Sequence, residues 1–135
     1  MIFPYLEVTI YVSKQKIVIG KIHGTVVDCK NPKDLPKFYA EMLGYVVVQS
    51  DDDWSVIGDS LDRPGIAFQR IENYLAPVWP SGEVPTQVHF DIKVENFDAA
   101  LKEVDALGGK LLSKSSESFW VCADPEGHPF CIVKV

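Results

Sequence analysis

The hydrophobic pattern of the first half of the chain predicts one strand, one helix and three further strands. Residues 22–29 are strand-like, Asn31 is a typical helix N-cap, and Pro32 follows at the first helical position, where its missing N–H costs nothing. The next apolar residues recur at helical spacing on one face: Leu35, Phe38, Tyr39, Met42 and Leu43. Gly44 supplies the left-handed stop. Strand-like runs follow at residues 45–49, 54–57 and 66–71, separated by turns at 51–53 and 62–65.

The second half repeats this order of elements. Residues 86–94 alternate as a strand, and Asn96 caps a second helix that ends at Gly108 and Gly109. Three more strands are predicted at residues 110–113, 119–123 and 129–135. When Asn31 is superimposed on Asn96, Gly44 falls on Gly109. The match is in the order of elements rather than in sequence identity, and it indicates an internal duplication.

The duplication predicts an α+β fold of two paired βαβββ units that share a curved mixed sheet with the helices outside. Unit one covers residues 22–71 and unit two residues 86–135, joined by a linker at 72–85 that is rich in proline. Residues 5–20 predict a β-hairpin, so that residues 1–21 form an N-terminal extension. The concave face of the sheet is a cup for a small ligand. The exposed hairpin edge predicts a homodimer.

Composition and charge exclude several classes of function. The chain has 13 basic and 19 acidic residues, a net charge of −6, and no basic cluster, which argues against a nucleic-acid or anionic membrane partner. No apolar run approaches the ~20 residues of a membrane span. The three cysteines form no metal-binding or disulfide pattern, so we expect reduced thiols in a cytoplasmic protein.

His89 is the strongest candidate for binding or catalysis. Alternation places it on the polar face of its strand with Gln87, Asp91 and Lys93. Its imidazole is interpreted as a ligand contact or a general base, oriented by Asp91, with a solvated sheet residue as the alternative. His128 lies in the turn at residues 126–129 and is expected at the surface.

Four segments resemble one family when taken in order. They are FYAEMLGY (Phe38–Tyr45), AFQR (Ala67–Arg70), WP before VHFDI (Val88–Ile92), and DPEGHPFC (Asp124–Cys131). They are similar to the glyoxalase-like branch of the vicinal oxygen chelate superfamily, which also contains glyoxalase I, extradiol dioxygenases and bleomycin-resistance proteins. The resemblance covers residues 22–135. It implies a paired βαβββ fold in which metal-dependent members hold one divalent ion in the cup, with one ligand from the first and one from the last strand of each unit.

These ligand positions carry over to Gly24, Gln69, His89 and Cys131. His89 is the one good ligand among them, since Gly24 has no side chain and the usual last-strand glutamates are replaced by Gln69 and Cys131. The set does not assemble the two histidines and one carboxylate of an iron dioxygenase. We therefore expect no complete metal site. The alternative is a divalent ion (zinc, nickel, manganese or iron) held by His89, with Gln69 and Cys131 assisting.

The predicted ligand-binding residues are Gln69, His89, Asp91, Trp120 and Cys131. Gln69 is either a hydrogen-bonding residue or a solvated one. Cys131 is either a zinc ligand beside His89 or, as is commoner for a strand cysteine, a small buried hydrophobe. Trp120 forms either an aromatic pocket wall or part of the core.

Two classes of function follow from the resemblance. The first is a module that binds an apolar or aromatic small molecule without metal. The second is a metal-dependent lyase, isomerase or dioxygenase in which His89 is the base or the principal ligand. Whether the chain is an enzyme is left open by the sequence.

Overall fold

The order of elements in the structure is strand, helix, strand, strand, strand, and it occurs twice. A computed structural model describes residues 19–114 and 116–134. The first set is β1 (Thr25–Cys29), α1 (Leu35–Leu43), β2 (Val46–Ser50), β3 (Trp54–Ser60) and β4 (Arg63–Arg70). The second set is β5 (Asp91–Lys93), α2 (Phe97–Ala106), β6 (Lys110–Ser113), β7 (Phe119–Ala123) and β8 (Pro129–Val133). The predicted α+β fold of two βαβββ units is confirmed.

The eight strands form two four-stranded mixed sheets with matching topology. The strand order is β1-β4-β3-β2 in one sheet and β5-β8-β7-β6 in the other. β1 pairs in parallel with β4, and β5 with β8, while the remaining pairs are antiparallel. The first strand of each half is therefore an edge strand. The predicted hairpin at residues 5–20 lies almost entirely outside the described residues.

The helix ends are set by short-range hydrogen bonds, and one of them differs from the prediction. Asn31 Oδ1 accepts hydrogen bonds from the backbone N–H groups of Lys33 and Asp34, both at 3.1 Å, so that Asn31 organises a turn. The helix begins after this turn, at Leu35, and the placement of Pro32 at the first helical position was wrong. Gly44 ends the helix at φ 67°, as predicted.

The second helix is capped as the sequence predicts. Asn96 Oδ1 accepts a hydrogen bond of 2.9 Å from the N–H of Ala99. This side-chain acceptor satisfies one of the N–H groups that the first helical turn leaves unpaired.

Several strand boundaries also differ from the prediction, most of all that of β5. The strand predicted at residues 86–94 is only Asp91–Lys93, because Gln87 has a positive φ of 62° and the N–H of Val88 bonds to the carbonyl of Thr86 at 2.7 Å. This tight turn breaks the extended conformation. The turn predicted at residues 62–65 is shorter, since β3 extends to Ser60 and β4 begins at Arg63.

A single apolar core joins both halves on the helix-facing sides of the sheets. Tyr39 of α1 lies at its centre and is 1% exposed. Its ring stacks on Phe68 of the first sheet at 5.8 Å and meets the edges of Phe90 and Phe130 from the second half at 5.6 and 6.1 Å. No helix among the described residues is long and apolar enough to cross a membrane.

The hydroxyl of Ser55 predicts a stabilising substitution. Ser55 is 1% exposed in β3, and its Oγ has no hydrogen-bond partner within the described residues. Because an unpaired buried hydroxyl opposes folding, Ser55→Ala should keep or raise the free energy of unfolding in urea, by up to about 1 kcal/mol. Tyr39→Phe is the contrast: its hydroxyl donates to Asp124 Oδ2 at 2.6 Å, so this variant should lose roughly 1–3 kcal/mol. A loss above about 1 kcal/mol in Ser55→Ala would show that the hydroxyl is satisfied.

Candidate functional site

His89 and Asp91 lie on the face of the second sheet that the core does not use. Ile92, the residue after Asp91, is buried in the core. The side chains of His89 and Asp91, in contrast, are 51% and 61% exposed. His89 Nε2 lies 3.2 Å from Asp91 Oδ1. Asp91 lies on the face that alternation predicts, whereas His89 precedes β5, and its ring contacts the Asp91 carboxylate from outside the strand.

Cys131 joins this pair from the neighbouring strand. It lies opposite Asp91 in the parallel pairing of β5 and β8, and its N–H donates to the carbonyl of Phe90 at 2.9 Å. The ligand atoms of His89, Asp91 and Cys131 all lie within 4.8 Å of one another. Burial, followed by the charge and hydrogen bond of Asp91, raises the pKa of the Cys131 thiol. The thiol is therefore protonated near neutral pH and must lose its proton to bind a metal.

The three residues line a cavity of about 520 Å³, which we call the His89 pocket. Its walls are largely apolar side chains from the linker and from β7 and β8: Trp79, Phe119, Val121, Pro129, Phe130 and Val133. Phe119 is 42% exposed and Trp79 is 38% exposed. An apolar surface of this size with a few polar groups at one side has the character of a small-molecule site.

The first half contributes no comparable set of polar groups. A cavity of about 450 Å³ on its sheet, the Val26 pocket, is lined mainly by Gly24, Val26, Trp54, Val56 and Ala67. It shares no lining residue with the His89 pocket. A Cβ at Gly24 would lie 3.1 Å from the carbonyl oxygen of Gly65, so the two backbones approach too closely for a side chain to fit without a shift.

Gln69 is not brought to His89. Asp91 pairs with Cys131 in the second sheet as Val26 pairs with Ala67 in the first, so Ala67 occupies the position that corresponds to Cys131. Gln69 lies two residues further along β4, opposite Asp28.

Trp120 also lies elsewhere. Its ring stacks on Phe97 of α2 at 4.7 Å, with Lys114 Nζ 5.3 Å from the ring centre. This position is in the helix layer, on the opposite face of β7 from Phe119 and Val121, so Trp120 does not line the His89 pocket.

His128 is the residue that sequence reasoning placed wrongly. Its side chain is only 15% exposed and contacts Asp124, which is fully buried, at 2.8 Å. Burial alone would lower the pKa of His128, but the hydrogen bond and charge of Asp124 outweigh it, with smaller contributions from the Asp28 carbonyl and Glu126, and the pKa is raised. The contact with Asp124 is local, but the local pattern does not signal the burial of the ring, because Nε2 contacts the carbonyl of Asp28 in the first half of the chain at 2.7 Å.

Comparison with known proteins identifies one family. A family model described as a glyoxalase-like domain matches residues 24–133. A search of curated proteins finds no match.

Solved structures show the same fold at low sequence identity. A glyoxalase/bleomycin resistance protein/dioxygenase family enzyme from Burkholderia phytofirmans is 16% identical with a TM-score of 0.63, covering 86% of this chain and 99% of that one. A fosfomycin resistance protein from Mesorhizobium loti is 14% identical with a TM-score of 0.62, covering 88% and 94%. A bleomycin-binding protein from Streptomyces verticillus, solved with copper(II)-bleomycin, is 15% identical with a TM-score of 0.55, covering 88% and 99%.

Proposed function

The chain belongs to the glyoxalase-like domain family, and from this premise we propose that it binds a small apolar or aromatic molecule in the His89 pocket. The observation that carries the proposal is the position of the cavity of about 520 Å³, on the sheet face left free by the core. Apolar walls supply binding energy when water is displaced, and the polar pair at one side fixes orientation.

The polar groups of the pocket favour a particular kind of ligand. Asp91 offers a carboxylate beside His89, and no lysine or arginine among the described residues lines the pocket. A ligand with a hydrogen-bond donor or a positive charge next to its apolar part fits this arrangement. The net charge of −6 acts in the same direction over longer range.

A second candidate function is metal-dependent catalysis at the same residues. It is favoured by the cluster of His89, Asp91 and Cys131, whose ligand atoms lie within 4.8 Å of one another. Nitrogen, carboxylate oxygen and sulfur are the donors that zinc takes in proteins, and three protein ligands leave one position for water or substrate. The residues therefore fit a zinc ion, with nickel, manganese or iron as weaker alternatives. When bound, such an ion supplies Lewis-acid chemistry for a lyase, isomerase or dioxygenase reaction.

Without a metal, His89 is the group that exchanges protons in this pocket. Its ring is half-exposed and is held by Asp91, so that it can accept a proton from a bound molecule. The chain's own contribution is then to bind, orient and deprotonate an enolisable substrate.

We infer that two copies of the chain associate through the open faces of their sheets. The Val26 pocket and the His89 pocket are separate and both are lined by exposed apolar side chains, with Val26 49% and Phe119 42% exposed. A second copy that packs against these exposed apolar side chains removes apolar surface from water. We place the protein in the cytoplasm, since its three cysteines are unpaired thiols.

Ligand binding is tested with thioflavin T, a cationic aromatic dye whose fluorescence rises when it is held rigidly. The dye should bind, and Phe119→Ser should weaken binding roughly tenfold because a wall of the pocket is lost. Leu61→Ser, an exposed residue outside the pocket, is the matched control and should bind as the wild type does. Equal binding by both variants would exclude the His89 pocket as the binding site.

The metal candidate is tested by titrating chelator-treated protein with zinc chloride in a calorimeter. If the cluster is a metal site, one equivalent of zinc binds and His89→Ala weakens binding at least about tenfold. His23→Ala is the control, since His23 lies outside the cluster. Failure of the wild type to bind zinc would remove this second candidate and leave the metal-free proposal in place.

Association is tested by sedimentation velocity. The wild type should sediment as a dimer, and Val26→Glu should shift it to a monomer because a charge is placed in the open sheet face. Leu61→Glu introduces the same charge outside both pockets and should remain dimeric. A chain that begins at Lys21 separates this interface from the predicted hairpin: an unchanged dimer would remove residues 1–20 from the interface. A monomeric wild type would contradict the inference.

A further inference from the structure

Both ring nitrogens of His128 face hydrogen-bond acceptors. Nδ1 lies 2.8 Å from the carboxylate oxygen Oδ2 of Asp124, and Nε2 lies 2.7 Å from the backbone carbonyl oxygen of Asp28. Neither acceptor has a proton to give when Asp124 is ionised, so both contacts are hydrogen bonds only if both nitrogens carry protons. The Tyr74 hydroxyl, 3.1 Å from Nε2, can donate to a neutral ring, but only the imidazolium cation supplies a proton to both Asp124 and the Asp28 carbonyl.

The buried carboxylate that faces this cation is fully supplied with donors. Asp124 accepts hydrogen bonds from the Tyr39 hydroxyl at 2.6 Å and from the N–H groups of Glu126 and His128 at 2.9 and 3.0 Å. A buried ion pair is favourable only when its remaining lone pairs and protons are also satisfied, and this one meets that condition.

The hydrogen bonds of this cluster cross between the two halves of the chain. Asp28 belongs to β1 and Tyr39 to α1, whereas Asp124, Glu126 and His128 lie in the turn before β8. The carboxylate of Glu126 also accepts the N–H of Asn31 at 2.9 Å and that of Lys30. The turn at residues 124–128 is therefore hydrogen-bonded to the first half through the His128 ring and through the Glu126 carboxylate.

We propose that His128 is a protonation-dependent lock between the two βαβββ units. When the ring is charged it binds Asp124 and the Asp28 carbonyl together. When the ring is neutral it has one proton, and either the buried Asp124 carboxylate or the Asp28 carbonyl loses its donor on the ring. The junction then loosens at the cleft of about 390 Å³ that β1, Tyr74 and His128 line together with residues 84–90. The lock requires no ligand in the His89 pocket.

The groups around His128 define the direction of its titration. Asp124 and Glu126 face it from its own turn, Asp28 from β1, Tyr74 from the linker and Tyr39 from α1 through Asp124. Cys29 is also nearby, but burial raises its pKa to about 12, and burial raises the pKa values of both tyrosines, so these three stay neutral. The charged neighbours of the ring are negative, and the pKa of His128 is raised above 6.5.

The raised pKa of His128 makes the folded state less stable as the pH rises. A group whose folded-state pKa is raised stabilises the fold fully below its unfolded pKa of about 6.5, and this contribution is lost as the pH rises through the folded-state pKa. Between the two pKa values the folding equilibrium constant falls by up to tenfold for each pH unit. Measurements should stop at about pH 8, because the thiols of Cys29 and Cys122, with pKa values raised to about 12 and 11, also oppose folding in more alkaline solution.

The protonation state can be read directly by ¹⁵N NMR of the imidazole rings. The double variant His23→Gln with His89→Gln leaves His128 as the one histidine of the three in the chain. At pH 6.5 both ring nitrogens should show the shifts of protonated nitrogen, and the midpoint of titration should lie above 6.5. A ring that is mainly neutral at pH 6.5 would overturn the proposal.

The lock itself is tested by urea unfolding between pH 5.5 and 8. The free energy of unfolding of the wild type should fall as the pH rises. The ratio of the folding equilibrium constant of the wild type to that of His128→Gln should fall by up to tenfold per pH unit. His89→Gln is the control and should keep the wild-type dependence. A parallel pH dependence in His128→Gln would overturn the proposal. If His128→Gln does not fold, the test is amide hydrogen exchange at Lys30 and Asn31 in the wild type. Protection of these amides should fall as the ring loses its proton. Protection that stays constant would overturn the proposal.

Discussion

The fold depends on one apolar core that is built from the helix-facing sides of both sheets. Tyr39 touches Phe68 in one half and Phe90 and Phe130 in the other, so neither half has a complete core alone. Side chains alternate along a strand. When one set of residues packs into this core, the residues between them therefore lie on the opposite face of the sheet. Asp91 and Val26 are two such residues, and each lines a pocket. The position of the candidate site is thus a consequence of where the core lies.

Much of the fold could be predicted because it is encoded at short range. The helical spacing of apolar residues, the stop at Gly44 and the cap at Asn96 each involve residues within one or two turns of one another. The strand predicted at residues 86–94 was too long because a single tight turn at Gln87 interrupts an alternating pattern. The prediction of Asn31 as the N-cap of the first helix was wrong: Asp34 is at that position, and the Asn31 side chain organises the turn before the helix.

The site could be predicted only in part because it depends on which strands pair and in which register. Alternation gives the face of Asp91 in β5, whereas His89 lies before the strand, where alternation does not apply. The register between β1 and β4 decides whether Gln69 or Ala67 corresponds to Cys131. This register cannot be read from the sequence. His128 shows the same limit: the Asp28 carbonyl that its Nε2 contacts lies 100 residues away. As a result the second half carries the cluster of His89, Asp91 and Cys131, while the first half contributes a mainly apolar pocket whose polar side chains are His23 and Gln49.

The most direct test of the His89 pocket is the rate at which each histidine reacts with diethyl pyrocarbonate, followed by mass spectrometry with and without thioflavin T. The exposed, oriented ring of His89 should react quickly in the free protein and slowly when the dye is bound. The buried ring of His128 should react slowly in both conditions. Slow reaction of His89 in the free protein, or a rate at His89 that the bound dye leaves unchanged, would contradict the assignment of this face as the ligand site.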